Sequence, residues 1–258
     1  MGVLNVTPDS FSDGGKFVRL DAAVERGVQM AEEGAAIIDV GGESTRPGAQ
    51  PVGLDEELRR VVPVIARLRS RTQAILSVDT SKPEVMHAAA AAGAAIINDV
   101  RALREPGALQ AAVMSGCGVC LMHMLGDPRT MQEAPSYQDV VTEVRHFLEQ
   151  RVDACRSAGL PAERIVLDPG FGFGKAPAHN LELLRRLREI SVNGLPILAG
   201  LSRKSLVGTL TGRPPDERIH GSVATAVIAA LNGARILRVH DVAATVDALN
   251  VVAAVENS

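Results

Sequence analysis

Residues 92–97 read Ala92-Gly93-Ala94-Ala95-Ile96-Ile97, a glycine followed at once by a short aliphatic run. The same pattern returns as Glu33-Gly34-Ala35-Ala36-Ile37-Ile38 and as Asn232-Gly233-Ala234-Arg235-Ile236-Leu237. Glycine often follows the last turn of an α-helix, and a short run rich in isoleucine, leucine and valine is typical of a buried strand. The repeat therefore predicts helices that end at glycine and lead directly into strands.

Aliphatic runs of this kind recur along the whole chain, and longer amphipathic stretches separate them. The predicted strands are Gly2–Val6, Ala35–Val40, Ala74–Val78, Ala94–Asn98, Val119–His123, Ile165–Leu167, Pro196–Ala199 and Arg235–Val239. The predicted helices include Asp21–Glu33, Leu54–Ser70, Pro83–Ala92, Gln138–Ala158, Asn180–Ile190 and Ser222–Asn232. Continuously apolar strands are covered on both faces, and eight of them alternating with helices predict an α/β fold, the (β/α)8 TIM barrel.

The spacing of the units favours the barrel over the alternative, an open doubly wound sheet. From Asn5 to Arg238 the chain advances 233 residues over seven steps, about 33 residues each, which matches one strand-helix unit. No proline- or serine-rich linker divides the chain. We therefore expect a single domain over residues 1–258, with its active site at the C-terminal ends of the strands.

The composition excludes several classes of protein. Hydrophobic residues make up 46% of the chain but aromatic residues only 2%, so the core must consist of small aliphatic side chains. The 27 basic and 30 acidic residues give a net charge of −3, which argues against a nucleic-acid-binding protein. The chain contains neither a signal-peptide pattern nor an apolar run of membrane-spanning length. We expect a cytoplasmic protein with no nucleic-acid partner and no membrane partner.

The three cysteines are too few for a disulfide scaffold. Cys117 and Cys120 have the C-x-x-C spacing of redox proteins, but here the motif enters an apolar run instead of opening a helix. We interpret Cys117, Cys120 and Cys155 as structural thiols.

Polar residues stand where the predicted strands end, at the rim that carries the active site in this fold. They are Asn5, Asp39, Asp79, Asn98, His123, Asp168, the run Ser202-Arg203-Lys204-Ser205, Arg238 and His240. One such residue is most often a helix cap, whereas a polar group after nearly every strand indicates a site for a polar ligand.

The last two units favour a phosphate or diphosphate site. Arg238 and His240 are two residues apart and share a face, and Arg203 and Lys204 lie in the preceding loop. The loops after strands seven and eight often bind phosphate in this fold. A solvated basic loop is the alternative.

Asp79 and Asp168 follow strands on opposite sides of the predicted barrel mouth. A carboxylate there can accept N–H bonds from a planar heterocycle; acid-base catalysis and simple helix capping are the alternatives. The run Gly170-Phe171-Gly172-Phe173-Gly174-Lys175 lacks the spacing of a Walker loop. We interpret it as a flexible lip that carries two phenylalanine rings near the ligand.

Two oxygen-rich loops, residues 5–15 and 41–48, complete the predicted mouth. Their side chains suit Mg²⁺, which keeps several waters and joins few protein ligands to substrate phosphates. Surface lids are the alternative for such loops. The histidines have no zinc-ligand spacing, so we expect no zinc.

Seven motifs, taken in order, resemble those of the dihydropteroate synthase family. They are residues 1–15, Glu43-Ser44-Thr45-Arg46-Pro47-Gly48, Ser77-Val78-Asp79-Thr80, Ile97-Asn98-Asp99, residues 167–175, Ser202-Arg203-Lys204-Ser205 and Arg238-Val239-His240-Asp241. The resemblance covers essentially the whole chain. Members usually carry a short segment ahead of the first strand, and this chain starts inside it, so the resemblance leaves open whether the natural start lies upstream of Met1.

The resemblance implies a transferase of folate biosynthesis. Such enzymes join p-aminobenzoate to 6-hydroxymethyl-7,8-dihydropterin diphosphate and release pyrophosphate and 7,8-dihydropteroate. It also implies Mg²⁺ as cofactor, these small molecules as substrates, a homodimer, and inhibition by sulfonamides that mimic p-aminobenzoate. The alternatives are a methyltetrahydrofolate methyltransferase, against which the diphosphate-binding residues argue, and a catalytically inactive pterin-binding relative.

The resemblance also implies a role for each matching residue. The groups taken as catalytic are Lys204, Arg238, Asp79 and Asp168. Asn5 would bind Mg²⁺ with the diphosphate, and Thr45, Arg46, Arg238 and His240 would contact the diphosphate itself. Asp79, Asn98, Asp168 and Lys204 would bind the polar atoms of the pterin, on which Arg238 would also stack. Phe11, Pro47, Phe173 and Ser205 would line the p-aminobenzoate pocket.

Overall fold

Short parallel strands pair in the order of the chain. The structure, a computed structural model, describes residues 1–6, 16–44, 50–126, 131 and 135–256. Within these ranges one eight-stranded sheet has the order β1-β2-β3-β4-β5-β6-β7-β8, with all neighbours parallel. The strands are β1 Gly2–Asn5, β2 Ile37–Gly41, β3 Ile75–Asp79, β4 Ile96–Asp99, β5 Gly118–Met122, β6 Ile165–Asp168, β7 Ile197–Ala199 and β8 Ala234–Leu237.

The two ends of this sheet meet. Gly2 forms a parallel bridge with Val239, just beyond β8. The Val3 N–H donates to the Val239 carbonyl at 3.0 Å, and the Val239 N–H donates to the Met1 carbonyl at 2.9 Å. These bonds join the last strand to the first.

Helices alternate with the strands, as the sequence predicts. They are α1 Lys16–Glu32, α2 Leu54–Leu68, α3 Pro83–Ala92, α4 Ala108–Ser115, α5 Val140–Ser157, α6 Pro177–Arg185, α7 Ser205–Thr211, α8 Ile219–Leu231 and α9 Val242–Glu256. The predicted helix Asn180–Ile190 is instead the end of α6 followed by a 3₁₀ turn, Leu187–Ile190. The predicted start at Gln138 moves to Val140 because Asp139 caps α5, accepting from the Thr142 N–H at 2.9 Å.

The glycine of the opening motif ends a helix, as predicted. Gly93 follows α3 with φ of 121°, and its N–H donates to the carbonyls of Ala89 and Ala90. Residues with a side chain rarely adopt this φ angle, so glycine at this position allows the chain to turn at once from α3 into β4.

Most of the described core side chains are aliphatic, as the composition predicts. Ile38, Val78 and Leu167 are fully buried members of one large cluster. The ring of Phe171 is 1% exposed and belongs to the same cluster. The prediction that Phe171 sits on a flexible lip is therefore wrong, whereas Phe173 is only partly buried and packs on a small methionine cluster.

The cysteines behave as structural thiols. Cys117, Cys120 and Cys155 are all free and buried. Burial raises the pKa of Cys155 to about 11 and raises that of Cys120 well above its usual value. Across the described part of the chain, no helix is long and apolar enough to cross a membrane.

Two leucines of α6 test this assignment of the core. Leu183 is fully buried, whereas Leu181, two residues earlier, is 37% exposed. We expect Leu183→Ala to lower the free energy of unfolding by about 2–5 kcal/mol, because it leaves a cavity. Leu181→Ala, the matched control, should cost less than about 1 kcal/mol. Urea denaturation measures both, and equal losses would contradict the assignment.

Candidate active site

Strand register places three predicted site residues, Asn5, Asp79 and Asn98, in one row with Gly41 at one end of the sheet. Asn5 pairs with Gly41, Gly41 with Asp79, and Asp79 with Asn98, across β1 to β4. Paired residues of parallel neighbours share a face of the sheet, so these side chains form one row. Asp39 lies two residues before Gly41, on the same face and one layer deeper. The row thus stands above a buried carboxylate.

Arg238 joins the two layers. Its Nε donates to Asp39 Oδ2 at 2.7 Å, and its Nη2 donates to Asp79 Oδ2 at 2.8 Å. Asp39 is fully buried, and Asp79 is 8% exposed. One guanidinium therefore holds two carboxylates, and charge-assisted bonds of this kind are among the stronger hydrogen bonds in proteins.

Asp39 also binds the neighbouring strands. Its Oδ1 accepts from the Ser77 hydroxyl at 2.6 Å, and its Oδ2 accepts from Asn98 Nδ2 at 2.9 Å as well as from Arg238. From sequence Asp39 is predicted to lie at the rim, with no role assigned to it. Strand-end position was the only sequence signal, because its partner Arg238 is 199 residues away.

The charges of this cluster perturb one another. Burial raises the pKa of Asp79 to about 7; Arg238 lowers it, and the Asp39 carboxylate raises it further. Burial lowers the pKa of Arg238, but the Asp39 and Asp79 carboxylates outweigh that effect and raise it above the usual value. The site thus combines a permanent cation with a carboxyl group that titrates near neutral pH.

Asp168 and Lys204 form the second half of the site. Asp168 ends β6 and accepts from the Gly170 N–H at 2.7 Å. Lys204 Nζ donates to the Phe171 carbonyl at 2.5 Å and lies 4.7 Å from the centroid of the Phe173 ring. Burial lowers the pKa of Lys204 to about 8, although Asp168 acts to raise it.

Glycines mark where these groups approach one another. A Cβ built on Gly200, just after β7, would lie 3.8 Å from both Arg238 Cβ and Lys204 Nζ. A Cβ built on Gly41 would lie 3.8 Å from both the Asn5 amide oxygen and Asp79 Oδ2. The two halves of the site therefore face the same space. The residues predicted to bind the pterin, Asp79, Asn98, Asp168 and Lys204, lie together there with Asn5.

The predicted phosphate residues divide into two groups. His240 lies beside Ser202, with Nδ1 and the backbone N–H each 3.1 Å from the Ser202 hydroxyl oxygen. Arg203 instead forms a bidentate ion pair with Asp241, at 3.0 and 2.5 Å. Asp241 thus replaces phosphate as the partner expected for Arg203. Ser205 is exposed at the start of α7.

Four predicted contacts cannot be placed. Phe11, Thr45, Arg46 and Pro47 lie outside the described residues.

A buried ionic group behind the site was missed from sequence. Glu57 on α2 is 1% exposed and accepts from the Thr80 hydroxyl and from Lys82 Nζ. Lys82 Nζ also donates to Glu43, at the stem of the second loop. In the sequence Glu57 resembles any acidic residue in a first helical turn, so no signal distinguished it.

The donor atoms fit a metal ion that takes few ligands from the protein and the rest of its coordination shell from the substrate and water. Over the described ranges, no three histidine, cysteine or acidic side chains are grouped to hold an ion. The Asn5 amide oxygen and the Asp79 carboxylate, both near Gly41, are hard oxygen donors. Mg²⁺ accepts such a small set, because waters and phosphate oxygens complete its shell.

Comparison with known proteins gives a consistent result. Residues 1–240 match the family described as pterin binding enzyme. The dihydropteroate synthase of Escherichia coli K12 is 56% identical over 254 residues, 98% of this chain and 90% of that protein. The Xanthomonas albilineans dihydropteroate synthase with 4-aminobenzoic acid has a TM-score of 0.95 and 57% identity, covering 100% of this chain and 93% of that one. The Yersinia pestis synthase in complex with a sulfonamide drug has a TM-score of 0.95 and 53% identity, covering 100% and 94%.

The Asp79 carboxyl group makes stability depend on pH. Because its folded pKa is raised from 3.8 to about 7, the folded protein holds a proton that the unfolded chain has lost, and stability falls as pH rises across that window. The Asp79→Asn variant has no carboxyl group at this position, so its stability should not fall with pH in this way. Its stability relative to wild type should rise by about 1–3 kcal/mol between pH 5 and pH 8 in urea denaturation. The control, exposed Asp153→Asn on α5, should show a flat difference; a flat difference for Asp79→Asn would contradict the raised pKa.

Proposed function

The chain belongs to the pterin binding enzyme family, with the dihydropteroate synthases, and from this premise we propose how its residues serve the reaction. Its function is to join p-aminobenzoate and 6-hydroxymethyl-7,8-dihydropterin diphosphate, giving 7,8-dihydropteroate and pyrophosphate. The observation that carries this function is 56% identity over 98% of the chain. The methyltransferase alternative is thereby set aside.

The architecture we propose is a single closed (β/α)8 barrel, residues 1–258, with the active site at the C-terminal ends of its strands. The bridge from Gly2 to Val239 supports closure. The row Asn5, Asp79 and Asn98, together with Asp168 and Lys204, supports the location, because each stands at or just after a strand end.

The pterin binds among Asp79, Asn98, Asp168 and Lys204 in this proposal. Because Asn98 Nδ2 donates to Asp39, its amide oxygen remains to accept an N–H of the heterocycle. Asp168 Oδ1 takes the Gly170 N–H, which leaves Oδ2 for the same purpose. Buried carboxylates that bind a pterin edge in this way also favour positive charge on it.

Arg238 and His240, with Thr45 and Arg46 from the second loop, bind the diphosphate. Asp39 and Asp79 hold the Arg238 guanidinium in place before substrate arrives, so little reorganisation is needed when charge develops on the leaving group. Arg238 also offers a planar face on which the pterin ring stacks.

Asn5 would hold Mg²⁺ together with the substrate diphosphate in this proposal. A bound ion would neutralise charge on the diphosphate.

The order of steps follows from these groups. The bond between the pterin methylene carbon and the diphosphate oxygen breaks first, and both electrons leave with pyrophosphate. The neutral amine of p-aminobenzoate then attacks the cationic carbon and loses a proton to solvent. Asp79 and Asp168 stabilise the cation. Phe173 and Ser205, with Phe11 and Pro47, line the p-aminobenzoate pocket and exclude water, the competing nucleophile.

Small-molecule substrates are the partners we propose, by analogy with the Xanthomonas albilineans enzyme that holds 4-aminobenzoic acid. Sulfonamide binding in the p-aminobenzoate pocket is supported by the Yersinia pestis complex. The homodimer and the cytoplasmic location stay predictions.

Two arginines, one within β8 and one just after it, test the assignment. Arg238→Gln should lower kcat/KM by about 10²–10³-fold, because it removes a fixed cation from the developing charge. Arg235→Gln, at an exposed residue within β8, should leave kcat/KM unchanged. The assay follows pyrophosphate release from pterin diphosphate with Mg²⁺ and p-aminobenzoate.

If the wild type releases no pyrophosphate, the synthase function is contradicted in favour of the inactive relative. Release that does not depend on p-aminobenzoate would contradict it as well, because the diphosphate would then be cleaved without the second substrate. Equal activity of the two arginine variants would remove Arg238 from the site.

A further inference from the structure

One buried lysine holds the turn that follows β6. Lys175 is 2% exposed. Its Nζ lies 2.9 Å from the carbonyl oxygens of Gly170 and Phe173, and 2.9 Å from Nδ1 of His123, just after β5. The His123 carbonyl is 3.4 Å away. The Lys175 amino group therefore contacts both ends of the turn and also His123, the residue just after β5.

Two further side chains, buried Asn180 and partly buried Tyr137, complete the turn. Asn180 Oδ1 accepts from the Gly172 N–H at 2.8 Å, and the Tyr137 hydroxyl donates to the Gly174 carbonyl at 2.8 Å. A Cβ on Gly170, where φ is 68°, would lie 1.9 Å from the His123 carbonyl oxygen. Only glycine allows the turn to approach β5 so closely, so this segment is anchored and is not the flexible lip predicted from its glycines.

This turn supports Lys204. The Phe171 carbonyl accepts from Lys204 Nζ, and the Phe173 ring lies beneath it. Both contacts come from the segment 170–173, and Lys175 binds the carbonyls of its first and last residues. The position of the Lys204 amino group therefore depends on where Lys175 fixes the turn.

We propose that Lys175, bonded to His123, is a positioning residue for Lys204: it fixes the Phe171 carbonyl and the Phe173 ring, and these fix Nζ of Lys204 in the pterin site. Lys175 acts through Lys204 and touches no substrate. The inference rests on the proposed function only for its kinetic test.

The chemistry of the pair suits this role. The Lys175 amino group donates to the carbonyl oxygens of Gly170 and Phe173, and His123 Nδ1, also 2.9 Å away, is its third close polar neighbour. Burial lowers the pKa of His123 to about 2, which keeps the ring neutral. Burial also lowers the pKa of Lys175, while Asp168 raises it. A side chain without donors would remove one hydrogen bond from the Phe173 carbonyl and would leave the Gly170 carbonyl with the Phe173 N–H at 3.1 Å, so the turn would shift.

A ligand-free measurement tests the position of Lys204. The rate of acetic anhydride labelling at Lys204, followed by mass spectrometry across pH, reports the pKa of its amino group. In the wild type burial lowers this pKa to about 8, and the neighbouring Asp168, Arg238 and Asp79 also affect it. In Lys175→Met the labelling midpoint should rise by at least about one pH unit, because water reaches the amino group once the turn shifts. A midpoint unchanged in this variant overturns the inference.

Two His123 variants keep Lys175 in place, so they test positioning without removing the lysine itself. His123→Asn keeps an acceptor oxygen near the place of Nδ1 and should keep the wild-type midpoint. His123→Leu removes the acceptor and should raise the midpoint. Equal midpoints overturn the inference, and these variants still decide it if Lys175→Met does not fold in circular dichroism.

A double-mutant cycle gives the kinetic test. Lys175→Met and Lys204→Met should each raise KM for the pterin diphosphate about 10-fold or more, and the double variant should be no worse than Lys204→Met alone. Effects that multiply would mean that Lys175 does not act through Lys204. If the wild type itself releases no pyrophosphate, the proposed function fails, while the labelling result still decides the inference.

Discussion

The ion pair of Arg238 with two carboxylates is the constraint on which the site depends. Asp39 is fully buried, and its oxygens accept hydrogen bonds from Arg238, Ser77 and Asn98. Removing one partner from such a group leaves an uncompensated buried charge, which typically costs about 3–5 kcal/mol. Asp39 belongs to β2 and Asn98 to β4, and Arg238 follows β8. The hydrogen bonds among these three side chains therefore also fix β2, β4 and the end of β8 relative to one another.

Burial makes the same group useful in chemistry. Burial raises the pKa of Asp79 to about 7 and lowers that of Lys204 to about 8, so small changes in neighbouring charge alter the protonation of both groups. In the proposed mechanism, the diphosphate and the cationic heterocycle would meet charged side chains that are already held in place. The turn held by Lys175 extends this preorganisation to the second half of the site.

The sequence predicts most of the fold because its signals are local. Aliphatic runs locate the strands to within about two residues, and strand ends select Asp79, Asn98, Asp168 and Arg238. Side-chain partners are not local. The ion pair of Arg203 with Asp241 spans 38 residues, and the contact of Lys175 with His123 spans 52. The interior place of Phe171 likewise depends on how the turn meets β5, which glycine spacing does not specify.

A double-mutant cycle of Asp39→Asn and Arg238→Gln tests the central claim most directly. The measured quantity is the affinity for pterin diphosphate, obtained by isothermal titration calorimetry for wild type, both single variants and the double variant. If Asp39 acts by holding Arg238, the coupling energy should be about 1–3 kcal/mol, and the double variant should bind about as well as Arg238→Gln alone. Losses that add to within about 0.5 kcal/mol would contradict the claim that this ion pair organises the site.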